Sequence, residues 1–222
     1  MDKLVTGVRK FKKHHYLDKK ELFEVLANGQ SPEALFITCS DSRIDPNLIT
    51  QTEPGDLFIC RNAGNIVPPH SLNTGGTTAS IEFAVTALKV PNIIVCGHTD
   101  CGAMKGAMHP ESLGKLPHVS NWLNHCQSAL STVKGRHGGE IDHDYLNELT
   151  EENVLQQMKH LETHPSVAER LAAGTIEIHG WIYHIGDGHV SCYHDDVKAF
   201  VSIEDRYAEI LHRIPEQEHQ SA

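Results

Sequence analysis

The stretch GGTTASIEFAVTALKVPNIIVCGH, residues 75–98, changes its hydrophobic period at Pro91. Before it, Ile81, Phe83, Ala84, Val85 and Leu88 form an apolar band at helical spacing. After it, NIIVC is a compact apolar run with Pro91 as its first residue, the pattern of a strand. DLFICR (56–61) supplies a strand ahead of the helix, and ALFITC (34–39) supplies another ahead of that. Strand, helix, strand at this separation describes crossover units, and crossover units build a parallel sheet. Upstream, residues 18–28 carry Leu22, Phe23, Val25 and Leu26 at helical spacing, with Gly29 as the stop. Downstream, helical patterns cover 118–130, 143–161 and 165–173. Strands over 175–185 and 189–194 then meet at Gly186-Asp187-Gly188, a hairpin signal. From about residue 203 the chain is polar and partly helical, read either as a docking arm or as a frayed tail.

Composition narrows the function classes. A length of 222 residues suits one domain with decorations. The net charge of −10 argues against a nucleic-acid footprint, which needs a concentrated basic face. The basic run Arg9, Lys10, Lys12, Lys13, followed by His14 and His15, reads as the solvated face of a helix. There is no apolar run long enough to span a membrane, and the first 20 residues lack the apolar core of a secretory signal. A cytoplasmic, reducing compartment is expected, where cysteine points to metal binding or catalysis rather than to bridges. Of six cysteines, Cys60 and Cys96 lie inside strand-like runs and read as small buried hydrophobes, while Cys126 and Cys192 have no partner pattern. Most of the 17 histidines, among them His109, His118, His125, His137 and His143, sit in polar segments and read as surface groups.

Three residues escape these bland readings. Cys39 ends ALFITC, His98 ends NIIVCGH, and Cys101 follows three residues later where a helix starts. Open parallel sheets bind ligands at the carboxyl ends of their strands, so a Cys₂His set is expected to gather there. Two cysteines and a histidine with a free fourth position make a catalytic zinc arrangement, whereas structural sites are closed by four protein ligands. Within CSDSR (39–43), the alternation of Cys39, Asp41 and Arg43 would point all three the same way along a strand edge. If Arg43 grips the Asp41 carboxylate in a bidentate pair, the aspartate is withheld from the metal and the position opens to water. The other reading keeps Asp41 as a permanent fourth ligand of a zinc staple, with Arg43 behind it.

CSDSRIDP (39–46), PGDLFICRNAGNIVPP (54–69) and GHTDCGAMKG (97–106), in this order, closely resemble the β-class carbonic anhydrases. The resemblance runs from the first helix to the hairpin near 194. It implies zinc held by Cys39, His98 and Cys101, with Asp41 and Arg43 as a gating dyad and Asp41 on the metal only in a closed state. The implied reaction is reversible hydration of carbon dioxide to bicarbonate and a proton by zinc-bound hydroxide. The implied substrate pocket comprises Gln30, Phe58, Ala63, Phe83 and the N–H of Gly102. At position 83 plant members carry tyrosine, so its hydroxyl is missing here. Read without the resemblance, Gln30 is a turn residue and Phe58, Ala63 and Phe83 are core.

The implied fold is α/β: a central, mainly parallel sheet of four parallel strands plus one antiparallel, flanked by helices, with an N-terminal helical arm that wraps a partner subunit. As a single domain over 1–222 it divides into an arm (1–30), a zinc-site core (31–110), a helical and hairpin part (111–202) and a polar tail (203–222). A homodimer is the implied basic unit, pairing into tetramers or larger assemblies, with the active site at the dimer interface, where Gln30 and Phe58 serve a neighbour's zinc. The resemblance reaches as far as carboxysomal members, whose partners include shell proteins. Relatives that bind bicarbonate at a regulatory site use a tryptophan three residues before the first cysteine ligand; this chain has Phe36. Two rivals share the same ligands: hydrolysis of a linear molecule such as carbon disulfide, and a catalytically silent, zinc-stabilised assembly protein. The intact set Cys39, Asp41, Arg43, His98 and Cys101 argues against silence.

Overall fold

β1 (Ala34–Cys39) is buried at all six positions, as a central strand covered on both faces must be. Its neighbours follow in the computed structural model, which describes residues 1–72 and 75–213. β2 (Leu57–Asn62) and β3 (Asn92–His98) pair with β1 in parallel on either side, and β4 (Glu177–Tyr183) pairs with β3 in parallel. β5 (Val190–His194) is antiparallel to β4, and β6 (Ala199–Ser202) is antiparallel to β5. Among the described residues the sheet order is β2-β1-β3-β4-β5-β6. The four parallel strands are those expected, and the antiparallel edge is one strand longer than the sequence suggested. The chain leaves β1 toward β2 on one side and then crosses over to β3 on the other. A crevice therefore opens at the carboxyl ends of β1 and β3, the switch point where open sheets place their ligands.

Helices cover the sheet. α1 (Asp2–Lys13), α2 (His15–Asp18) and α3 (Lys20–Leu26) form the N-terminal arm, and α4 (Pro46–Thr50) follows β1. α5 (Gly76–Glu82), prolonged by a π-helical turn over Phe83–Ala87, makes the crossover from β2 to β3. It buries Ile81, Ala84 and Val85 against Leu35, Ile37, Ile93 and Val95 of the sheet. α6 (Gly102–Met108) leaves β3, followed by α7 (Pro117–Leu123), α8 (Gln127–Arg136), α9 (Leu146–Glu162) and α10 (Pro165–Ala172). α11 (Ile203–Arg206) and α12 (Ala208–Leu211) return over the β5–β6 edge, where the Tyr207 hydroxyl accepts from Trp181 Nε1 at 3.3 Å. The expected polar tail is thus helical as far as 211, and its residues 214–222 lie outside the described residues.

α9 lies close on the sheet because two strand positions carry no side chain. A Cβ at Gly97 would stand 2.9 Å from Val154 Cγ2, and one at Gly180 would stand 3.0 Å from Val154 Cγ1 and 2.7 Å from Met158 Sδ. The arm behaves oppositely. Every residue of α1 is exposed, including Leu4 at 65 % and Val8 at 70 %. Among the described residues no helix is long and apolar enough to cross a membrane. All six cysteines are buried and unbridged, and burial pushes the Cys96 thiol up to about 12, as suits an inert core residue.

Burial holds His160, His164 and His179 below the ordinary histidine value of 6.5. The folded state therefore takes up fewer protons than the unfolded chain once the pH drops below about 6.5. Their contribution is complete above that value and is lost as the pH falls toward the lowered folded-state values. Thermal unfolding should show a melting temperature that declines from pH 7 to pH 5. A His164→Asn variant should lose less over the same interval.

Candidate metal centre

The sequence brings three donors together through its topology. β1 ends at Cys39 and β3 ends at His98, on strands that pair directly. Cys101, in extended conformation, caps α6. The nearest ligand atoms of Cys39, His98 and Cys101 all lie within 4.8 Å of one another, and all three residues are buried. The His98 ring is oriented by Nδ1, 2.9 Å from the carbonyl oxygen of Thr99. A carbonyl only accepts, so in the neutral ring Nδ1 carries the proton and Nε2 presents a lone pair to the cluster. Among the described residues, Nε2 of His98 is one of two buried side-chain polar atoms without a partner, the other being Nδ2 of Asn65. A buried acceptor facing two sulfurs is costly unless a cation fills the gap.

The thiols make the same demand. The Cys101 thiol beside it, helped by the Gly64 N–H 3.4 Å from its sulfur, pulls the Cys39 thiol well below the usual cysteine range. Cys101 is driven up in return, first by its bond to the Cys39 sulfur and then by burial. One of the pair ionises readily and the second does not, until a cation compensates both. Two sulfurs and an imidazole nitrogen suit a borderline-soft divalent ion such as zinc. The residues present fit a metal ion.

Asp41 stands beside this cluster, its Oδ2 3.9 Å from His98 Nε2. The alternation read in CSDSR is replaced by a turn: β1 stops at Cys39 and the chain bends over 40–45, so a bend rather than a strand edge brings Asp41 and Arg43 to the site. Arg43 grips the Asp41 carboxylate from both sides, Nε to Oδ1 at 2.9 Å and Nη2 to Oδ2 at 2.8 Å, while its backbone N–H donates to Oδ1 at 3.0 Å. These bonds hold the Asp41 carboxyl well below the usual carboxylate range. Arg43 is itself held by Asp100, through Nη1 to Oδ2 at 3.0 Å and Nη2 to the backbone oxygen at 3.1 Å. Asp100 adopts a left-handed conformation (φ 59°) and also pairs with Lys105. Arg61 ties the bend down, donating from Nε to the Cys39 oxygen at 3.0 Å and from Nη2 to the Asp41 and Ile44 oxygens at 2.6 and 2.9 Å.

Gly102 is the first residue of α6, next to Cys101, and Ala63 precedes the Gly64 whose N–H reaches Cys39. Phe58 and Phe83 meet with ring centroids 5.8 Å apart, and Phe83, expected in the core from the sequence alone, is 47 % exposed. They lie elsewhere: Phe58 is in register with Leu35, four residues before Cys39, or roughly 13 Å along the strand. Gln30 precedes the start of β1 and lines a groove with Leu22, Val25, Leu26 and Pro54. Within one chain, then, the fold gathers Cys39, Asp41, Arg43, His98, Cys101 and Gly102. It leaves Gln30, Phe58 and Phe83 at the other end of β1. Asp100, Arg61 and Gly64 were not singled out from the sequence. The signal for Asp100 was its place between two ligands in HTDC (98–101), a position that must turn sharply.

Residues 34–190 match the family model described as carbonic anhydrase. A carbonic anhydrase of Synechocystis sp. is 45% identical over 207 residues, covering 93% of this chain and 76% of that protein. One from Pseudomonas aeruginosa is 42% identical over 203 residues, covering 91% and 92%. Among solved structures, the β-carbonic anhydrase CcaA superposes with a TM-score of 0.88 at 45% identity, over 91% of this chain and 98% of that one. A tetrameric β-carbonic anhydrase of Sordaria macrospora gives 0.77 at 30% identity, over 90% and 98%.

Proposed function

The chain belongs to the β-class carbonic anhydrases, and from that premise we propose that it hydrates carbon dioxide reversibly to bicarbonate and a proton at the Cys39–His98–Cys101 centre, with zinc as the ion. The observation that carries the reading is the buried, partnerless Nε2 of His98 facing two thiols, with Asp41 drawn aside by Arg43. A zinc ion held by these three residues would supply the positive charge that lowers the pKa of water there to about 7. The protein's own groups do the rest. Asp41, kept ionised by Arg43 at neutral pH, accepts a hydrogen bond from the reacting water and fixes which lone pair faces the carbon. Gly102, at the first turn of α6, has a backbone N–H free of the helix ladder and donates it to a substrate oxygen. Ala63 borders the slot for the apolar gas.

Gln30 and Phe58, with Phe83, serve the centre of a neighbouring copy, because within their own chain they sit a strand's length away. This makes a homodimer the working unit, with tetramers or larger assemblies built from it. The exposed apolar residues of α1 and the tetrameric relatives support that reading. The family resemblance alone supports a cytoplasmic or carboxysomal location.

Stopped-flow hydration assays with and without a chelator, paired with metal analysis, test the proposal. We expect one zinc per chain and rapid hydration that the chelator abolishes. A zinc-replete protein that does not hydrate carbon dioxide would end it. Bicarbonate should inhibit only as a product, without cooperativity. Phe36 is fully buried with its ring edge-on to Trp181 at 6.1 Å, and it offers no N–H to an anion, the loss of a partner worth about 1–3 kcal/mol. Sigmoidal bicarbonate inhibition that steepens at lower pH would contradict this.

A further inference from the structure

Residues 63–68 link β2 to the segment ahead of α5 without regular structure, yet side chains take up most of their backbone polar groups. Asn62 bonds both the N–H and the carbonyl of Ile66, at 2.7 and 2.8 Å. From α9, Asn153 Nδ2 donates to the Gly64 oxygen at 3.1 Å, and Gln157 Oε1 accepts from Val67 N–H at 2.8 Å. His160 Nδ1 lies 2.7 Å from the Val67 oxygen, and His164 Nε2 lies 3.0 Å from the Pro68 oxygen. Positions 153, 157, 160 and 164 follow one face of the helix and its continuation. Gln157 also donates to Asn153 Oδ1 at 2.9 Å, which orients the amide that reaches Gly64. Asn153 and Gln157 are fully buried. Keeping two amides in a core is costly unless each polar atom finds a partner, as the oxygen and nitrogen of both amides do.

The rung at Gly64 differs from the others because Gly64 touches the metal centre. Its N–H is the donor 3.4 Å from Cys39 Sγ. That N–H shares a peptide plane with the Ala63 carbonyl, which accepts from Trp122 Nε1 at 2.8 Å. The peptide plane on the other side of Gly64 Cα is the one held by Asn153. Gly64 has φ of +78°, and a Cβ there would stand 3.0 Å from Ala103 and 3.1 Å from Met104, so the residue is free to turn unless its two planes are fixed from outside. A bond to the Ala63 carbonyl also polarises the N–H at the other end of the same peptide. We infer that Trp122 and Asn153 are positioning residues for the metal centre: by clamping the two peptide planes that flank Gly64, they hold its N–H on the Cys39 sulfur. The N–H bond draws charge off the sulfur and fixes its direction, and Gln157 supports Asn153 from behind.

The inference rests on reading Cys39 as a metal ligand, and its test separates the two. Trp122→Phe keeps an aromatic ring of smaller size and removes the N–H, Asn153→Leu keeps the volume and removes the amide, and Gln157→Met provides a second removal on α9 should Asn153→Leu fail to fold. The control is Thr150→Val, on the same helix and equally buried, whose hydroxyl bonds only to the Leu146 oxygen at 2.8 Å. Each protein is loaded with cobalt(II) to read the sulfur-to-metal charge-transfer band, and with zinc to read affinity by chelator competition. With the N–H loosened the sulfur lone pair rises in energy. The band should then move to lower energy in Trp122→Phe and Asn153→Leu, with zinc affinity down about 10–100-fold, and stay in place in Thr150→Val. An unchanged band and affinity in both variants, or the same change in Thr150→Val, would overturn the inference. A wild type that takes up neither metal would instead defeat the reading of the site itself, and this inference with it.

Discussion

Cys39→Ser, His98→Ala and Cys101→Ser are each expected to lose the metal and, with it, all hydration above the uncatalysed rate. Each substitution leaves two donors, too few to hold a divalent ion against water in a site that must keep one position open. The serine variants preserve shape but replace a sulfur that ionises beside a cation, and at Cys39 does so readily even without one, with a hydroxyl that stays protonated. His98→Ala removes a donor that is wholly enclosed, and no described side chain stands in reserve: Asp41 approaches, but Arg43 claims both its oxygens. Metal analysis of the purified variants, alongside circular dichroism to show that they fold, decides the matter. Zinc at full occupancy in all three would sink the assignment.

Arg43→Leu should keep its zinc and lose turnover by about 10²–10⁴-fold, the usual cost of one positioned electrostatic partner. Without the guanidinium, Asp41 retains one backbone N–H, and the strongest remaining attraction is the metal itself. With Oδ2 already 3.9 Å from the His98 nitrogen, a modest swing closes the fourth position. Asp41→Asn should fall by a similar factor for a different reason: the site stays open to water, but an amide replaces the carboxylate that accepts its hydrogen bond. Stopped-flow rates and a crystal structure of each variant at one pH separate the two cases. Near-normal turnover in Arg43→Leu would refute the gating role. Asp100→Ala, which frees Arg43 at one end only, should cost less than either.

The parts of this arrangement that were legible in the sequence share one property: they end something. Cys39 and His98 stop apolar runs, and Cys101 opens a helix, so the ends of strands and the start of a helix located them. Three of the parallel strands followed from the same runs, and the count of four came with the family resemblance. Elements that hold by long-range polar bonds left no such trace. Arg61 is one charged residue among many until its guanidinium is seen on three backbone oxygens of the bend after β1. Asn153 and Gln157 interrupt the apolar face of α9 and look like surface positions in a helical wheel, yet both are fully buried. β6 was missed because AFVS is short, partly exposed and preceded by the charged turn DDVK, where Lys198 takes φ of 53°. The convergence of CSDSR was foreseen, but for a strand edge that the bend replaces. The far placement of Gln30 and Phe58 follows from register, which no single run of residues encodes.

The seam between β1 and β3 has one more consequence, and it concerns supply rather than chemistry. Cys39 and His98 face each other across 98 − 39 = 59 positions of chain. An ion joining them acts as a staple across that loop, worth about 4 kcal/mol by the chain-entropy counting applied to disulfides. A disulfide answers to the redox poise around it, whereas an ion exchanges with a pool of free metal. Because the unfolded chain offers no assembled site, stability rises with free metal, by about 2.7 kcal/mol at a hundred times the dissociation constant. For a domain whose whole margin is about 5–15 kcal/mol, scarcity of the ion therefore does more than silence molecules already made. With the proposed ion at this site, scarcity would raise the unfolded fraction open to proteases, and the abundance of the protein would track the metal supply.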